Sequence, residues 1–211
     1  REFGEKLSSF ADGTGWIQPH ALDELWFHTG TACNLDCPFC LEGSRPGDAR
    51  LQRITLADVR PLIDTAVGLN VRQFSFTGGE PFVVKDMVAI LEYAAGFRPC
   101  LVLTNGTAPV VRRLNQIRKL AGTAHPIAFR ISIDFADEAR HDAGRGAGNF
   151  RLALQGLRAL HKAGFGVSLA RQVQPGRDES EVDREFRQLL VAEGLPAGLR
   201  IVSFPDFGIP G

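Results

Sequence analysis

Six short apolar segments alternate with five longer stretches of helical periodicity, and this alternation limits what the chain can become more than any other feature. The segments 25–28, 73–77, 101–104, 129–134, 166–171 and 199–204 read as strands. The stretches 55–69, 85–97, 109–121, 150–163 and 179–193 read as helices, with apolar residues at three- and four-residue spacing such as Leu154, Leu157 and Leu160. Pro109 suits a helix start, Gly164 a helix stop, and Pro61 is expected to kink the first helix or delay its start. Strands separated by helices predict an α/β protein whose parallel sheet is joined by right-handed crossovers. Six strands of this kind form either an open doubly wound sheet or a partial barrel. In both, functional residues belong at the carboxyl ends of the strands.

The 211 residues are enough for one sizeable core. The 24 basic and 24 acidic side chains cancel, which argues against a dedicated nucleic-acid binder. No apolar run is long enough to span a bilayer, and no signal-peptide pattern opens the chain at Arg1. Three of the four cysteines crowd into eight residues, and the fourth, Cys100, begins an apolar segment. Crowded thiols indicate a metal site in a reducing compartment, here a bacterial-type cytoplasm, rather than two disulfides. Cys100 reads as a small buried apolar residue.

The crowded thiols lie in Thr31-Ala-Cys33-Asn-Leu-Asp-Cys37-Pro-Phe39-Cys40, directly after the first strand. Thiolates spaced CxxxCxxC on one loop can converge on a soft metal centre. In a 4Fe-4S cube they would leave one iron without a protein ligand. Structural zinc usually takes two CxxC or CxxH pairs, and only one CxxC is present. With Phe39 as the aromatic residue before the last cysteine, the segment resembles the signature of the radical S-adenosylmethionine (SAM) superfamily. The resemblance implies that Cys33, Cys37 and Cys40 bind the cluster, that the fourth iron chelates SAM, and that Phe39 packs near the adenine.

The second strand ends Thr77-Gly78-Gly79-Glu80-Pro81. Two glycines let backbone approach a ligand closely, and Glu80 offers a carboxylate suited to an ammonium group. The run resembles the GGEP segment with which the family binds the SAM amino group. Thr104 of Thr104-Asn105-Gly106 matches a family position lining the SAM pocket. The fourth strand alternates: Phe129, Ile131 and Ile133 on one face, Arg130, Ser132 and Asp134 on the other. Its Ser132 and Asp134 resemble family contacts to SAM. His141, Asp142 and Arg145 resemble a loop of the family's peptide-modifying members, and Arg145 can meet a carboxylate. Arg171 at the end of the fifth strand could hold the SAM carboxylate, although alternation places it on the face of Val167 and Leu169.

The resemblance extends from the first strand to the sixth. It implies a partial (β/α)6 TIM-like barrel over residues 25–211, preceded by an extension over residues 1–24. The carboxyl-terminal region that often closes such a barrel is expected to be absent. The implied activity is reductive cleavage of SAM to a 5′-deoxyadenosyl radical that takes hydrogen from a peptide or small-molecule substrate. The implied electron source is a flavodoxin- or ferredoxin-type reductant. The rival readings are an iron–sulfur electron carrier and a zinc-stabilised binding module.

Overall fold

The computed structural model describes residues 21–204, so the proposed extension lies almost wholly outside the described residues. Six parallel strands form one sheet in sequential order: β1 (Glu24–His28), β2 (Gln73–Thr77), β3 (Cys100–Thr104), β4 (Ile127–Ser132), β5 (Gly166–Gln172) and β6 (Ile201–Phe204). A doubly wound sheet must reverse its strand order at a switch point. Here the order never reverses, so successive right-handed crossovers place every helix on the same side. The other face is left free to become a concave lumen. Strands β1 and β6 are the two edges, so the barrel is partial.

The crossovers carry α1 (Leu56–Gly68), α2 (Met87–Ala95), α3 (Ala108–Ile117), α4 (Glu138–Arg145), α5 (Asn149–Lys162) and α6 (Glu179–Ala192). Thr55 and Asp58 close a reciprocal capping box at the start of α1. Pro61 neither delays nor ends that helix, because the cap has fixed the first turn before the proline is reached. Pro109 sits in the first turn of α3, where its missing N–H costs nothing. Helix α4 is absent from the sequence reading, which joined it to a loop. Its only buried residue is His141, so it carries almost no apolar periodicity. The Asp137 side chain starts it by accepting a hydrogen bond from the Arg140 N–H at 2.8 Å.

The core lies between sheet and helices. Phe74 and Phe76 of β2, Val102 of β3, and Phe129 and Ile131 of β4 are fully buried there. Burial of each phenylalanine contributes about 1.5–3 kcal/mol. Cys100 belongs to this core, and burial pushes its thiol up to about 12. The alternate residues Ser75, Arg130, Ser132, Ser168 and Ala170 face the lumen. Among the described residues no helix is long and apolar enough to cross a membrane.

Helix α5 packs tightly on the turn after β3. A Cβ added at Gly156 would lie 2.3 Å from the Gly106 carbonyl oxygen. The variant Gly156→Ala is therefore expected to lose roughly 1–3 kcal/mol of stability, read as a lower melting temperature.

Candidate active site

The strand carboxyl ends and the loops after them enclose a cavity of about 1010 Å³. Cys33, Cys37, Cys40 and Phe39 line it from the first loop, Thr77, Gly78 and Gly79 from the second, and Thr104 and Asn105 from the third. Ser132 lines it from β4, Asp134 from the segment just after that strand, and Arg145 from α4. Apart from Glu80, the structure thus brings every sequence-predicted site residue to one cavity wall, with Arg171 at its border.

The first loop is fixed by backbone contact with the second. Gly79 N–H donates to the Gly30 carbonyl at 2.9 Å, and Glu80 N–H to the Ala32 carbonyl at 3.0 Å. A Cβ at Gly79 would fall 2.3 Å from the Ala32 oxygen, and Gly78 adopts φ +143°, so both positions demand glycine. The loop returns through a bridge between Ala32 and Arg45, with Cys33 N–H donating to the Arg45 carbonyl at 3.2 Å. A tight turn closes the CxxC, where Cys40 N–H donates to the Cys37 carbonyl at 3.0 Å.

All three loop cysteines are free thiols of intermediate exposure. Burial pushes Cys33 up to about 11. Burial also raises Cys37, while the Arg145 guanidinium opposes the rise. Among the described residues no three His, Cys, Asp or Glu side chains stand close enough to share one metal ion. A cube presents separate iron corners to its thiolates and does not require that convergence.

Glu80 does not reach the cavity as an open carboxylate. It is completely buried and accepts from Thr104 Oγ1 at 2.7 Å, Asn105 N–H at 2.8 Å and Phe82 N–H at 3.0 Å. Burial raises its pKa and these three donors work against the rise. The carboxylate is a strut between the second and third strand ends, and the backbone of Gly78 and Gly79 forms the cavity surface. Thr104 is committed to the same strut, since its hydroxyl also accepts from Gly106 N–H at 3.1 Å.

Asp134 and Arg145 form a bidentate pair, with Nε to Oδ2 at 2.5 Å and Nη2 to Oδ1 at 3.0 Å. Arg145 ends α4, where a cation is favoured by the helix dipole. Its guanidinium lies 5.5 Å from the centre of the Phe39 ring. That ring also packs on Gly144, where a Cβ would come within 2.5 Å of it.

Arg171 is a correction to the sequence reading. Its guanidinium turns to the helix side and pairs with Glu179 and, at 3.0 Å, Asp183 of α6. Strand alternation dictates this, because Arg171 shares the face of Leu169.

Asn105 is the residue the sequence reading missed, since it took only Thr104 from that segment. Its Nδ2 donates to Asn34 Oδ1 at 2.9 Å and faces Cys33 Sγ at 3.9 Å. Its Oδ1 accepts from Thr107 N–H at 3.0 Å and Thr107 Oγ1 at 2.7 Å. Asn34 returns a bond to Thr107 Oγ1 at 3.0 Å, closing a ring of three side chains that binds the cysteine loop to β3. The available signal was one asparagine beside the first cysteine and another at a strand end.

His141 is buried beneath the site. Its Nδ1 accepts from Asp134 N–H at 3.3 Å, which leaves the proton on Nε2. That atom has no acceptor among the described residues.

The family model described as the Radical SAM superfamily matches residues 27–189. A GTP 3′,8-cyclase from Tolumonas auensis is 33% identical over 168 residues, 78% of this chain and 47% of that protein. The mycofactocin maturase MftC of Mycolicibacterium smegmatis is 30% identical over 178 residues, 84% of this chain and 43% of that protein. The chain therefore spans about half the length of these curated relatives. SuiB from Streptococcus suis, solved with S-adenosylmethionine, shares the fold at a TM-score of 0.69 and 16% identity, over 90% of this chain and 42% of that one. The same protein bound to its precursor peptide SuiA gives 0.66 at 16% identity, over 88% and 39%.

Two outcomes follow from this geometry. The variant Asn105→Ala strands the partners of three side-chain bonds, at a cost of about 1–3 kcal/mol, and should react faster at Cys33 with a thiol reagent than wild type. Burial, and then the nearby Arg145 cation, push His141 down from its ordinary 6.5 to about 4, so the unfolded chain takes up its proton first as pH falls. Stability should fall by about 2–3 kcal/mol between pH 6.5 and 4, and His141→Leu should lose less over the same range in pH-dependent melts.

Proposed function

The chain belongs to the radical SAM superfamily, and from that membership we propose that it holds a 4Fe-4S cluster on Cys33, Cys37 and Cys40 with SAM at the remaining iron. The observation that carries this reading is the meeting of three free thiols with a glycine cradle on the wall of one large cavity. The donor set fits the group: three soft ligands on one loop, no fourth cysteine in reach of it, and a side-chain N–H facing one thiol. Cys100 is sealed in the core on the opposite side of the sheet. When bound, the cluster, once reduced by an external one-electron donor, would supply that electron to the sulfonium of SAM and so give a hydrogen-abstracting carbon radical.

The chain's own residues bind and orient. The Gly78–Gly79 backbone offers carbonyl oxygens as acceptors to the SAM ammonium, because no side chain intervenes. The Glu80 strut keeps that backbone in place without touching the ligand. Asp134 fixes Arg145 through Nε and Nη2, which leaves Nη1 to meet the SAM carboxylate. Phe39, wedged between Gly144 and Arg145, offers a ring to the adenine. Ser132 and Thr77 add lumen-facing hydroxyls nearby. Such fixation matters because a primary radical attacks any C–H bond it meets.

The relatives divide over the substrate. One is named for a nucleotide and the other as a maturase, and a solved neighbour carries a precursor peptide. The substrate class we assign is accordingly a peptide or small molecule. A flavodoxin- or ferredoxin-type reductant and a cytoplasmic location complete the proposal.

The test is anaerobic reconstitution with iron and sulfide, followed by SAM and dithionite. Wild type should become dark and release 5′-deoxyadenosine, and Cys37→Ala should do neither. A dark protein that leaves SAM intact would mark an electron carrier. A colourless protein holding one zinc would mark a binding module.

A further inference from the structure

One group of charges lies on the lumen outside the cavity wall. Arg130 of β4 projects between Phe129 and Ile131, both packed against helices, and so faces the lumen two residues deeper than Ser132. Two residues along a strand is about 7 Å. Arg130 stands in register with Ser168 of β5, and its Nε reaches Ser168 Oγ at 3.4 Å. Leu169 pairs with Ile201, and Leu169 N–H donates to the Arg200 carbonyl at 2.9 Å. Arg200 therefore falls beside Ser168 on the same face. The row Arg130, Ser168, Arg200 crosses three neighbouring strand positions with two guanidinium groups and a hydroxyl.

Neither arginine forms an ion pair among the described residues. Arg130 donates only to Ser168 there, which leaves both terminal nitrogens unspent. Arg145, Arg171 and Arg177 each have a carboxylate partner, and Arg98 and Arg113 spend their guanidinium groups on backbone carbonyls. The carboxylate that acts on Arg130 from across the lumen is Glu24, which is held instead by Ser75 and, at 2.8 Å, Gln73. Burial first, and then the like charge of Arg200, press Arg130 below the usual guanidinium range, while Glu24 works against them. Neighbouring guanidinium groups with no carboxylate hydrogen-bonded to them are relieved by an oxyanion, which they bind through paired N–H donors.

We propose that Arg130 and Arg200, with Ser168 between them, form an oxyanion subsite on the lumen floor that anchors a carboxylate or phosphate of the substrate below the SAM cavity. The assignment rests on the radical reading of that cavity. An anchor remote from the reacting carbon supplies the orientation that hydrogen abstraction needs. It also narrows the substrate class to molecules that carry an anionic group away from the carbon attacked.

The test is calorimetric titration of the reconstituted chain, without SAM or dithionite, using pyrophosphate and glutarate as probes. At least one probe should bind saturably, and binding should weaken about tenfold or more in Arg130→Gln and in Arg200→Gln. Arg130→Lys should fall between wild type and Arg130→Gln, because it keeps the charge and loses the planar fork. Tighter pyrophosphate binding assigns the anion to a phosphate, and tighter glutarate binding to a carboxylate. Arg200 is exposed, so Arg200→Gln reports on binding without a risk to the fold. Binding that survives in both glutamine variants, or no saturable binding of either probe, overturns the subsite. Formation of 5′-deoxyadenosine by wild type is measured separately. Its absence alongside intact anion binding defeats the radical reading and leaves the anion site standing.

Discussion

The contact on which the rest depends is the backbone-to-backbone seating of the first strand-end loop on Gly78 and Gly79. Two amide hydrogen bonds join these loops, and no side chain could fit between them. Because the contact uses main-chain atoms on both sides, it fixes the cysteine loop to the rigid sheet rather than to a neighbouring flexible chain. Glu80 extends the same connection to the third strand end. A buried carboxylate is costly, and here three donors offset that cost while joining elements distant in sequence. The outcome is a set of thiols held at a defined place by an apparatus that need not itself contact a ligand.

On the far wall the chain places a charged pair instead of a backbone cradle. Asp134 and Arg145 satisfy each other, and Arg145 lies over the ring next to the last cysteine. The pair is supported from beneath by His141, whose ring accepts the Asp134 N–H. Asp142 accepts N–H groups of Gly148 and Phe150 at 2.6 and 2.8 Å, which sets α5 after α4. His141 thus supports the partner of Arg145, while Asp142 serves the start of α5.

The strand pattern and the cysteine spacing were readable because each depends only on local order. Period-two alternation in β4 gives the face of every residue from Phe129 to Asp134, and the structure follows it. The same rule already placed Arg171 on the helix side, and its pairing with α6 shows that alternation outweighed the resemblance there. Helix α4 was unreadable because a short polar helix buries one residue and leaves no periodic trace. The roles of Glu80 and Asn105 were unreadable for another reason. Each is a polar side chain in a turn, and whether it faces a ligand or its own fold depends on groups about 25 to 70 residues away.

The sequence by itself determined the parallel α/β order and the loop that bears the thiols, since these follow from periodicity and spacing. The tertiary structure alone decided that the sheet is singly wound, that Glu80 is a strut, that Asn105 ties the cysteine loop to β3 and that Arg130 and Arg200 fall in one row across neighbouring strands. Those outcomes depend on strand order and register, which bring together groups that no local pattern relates.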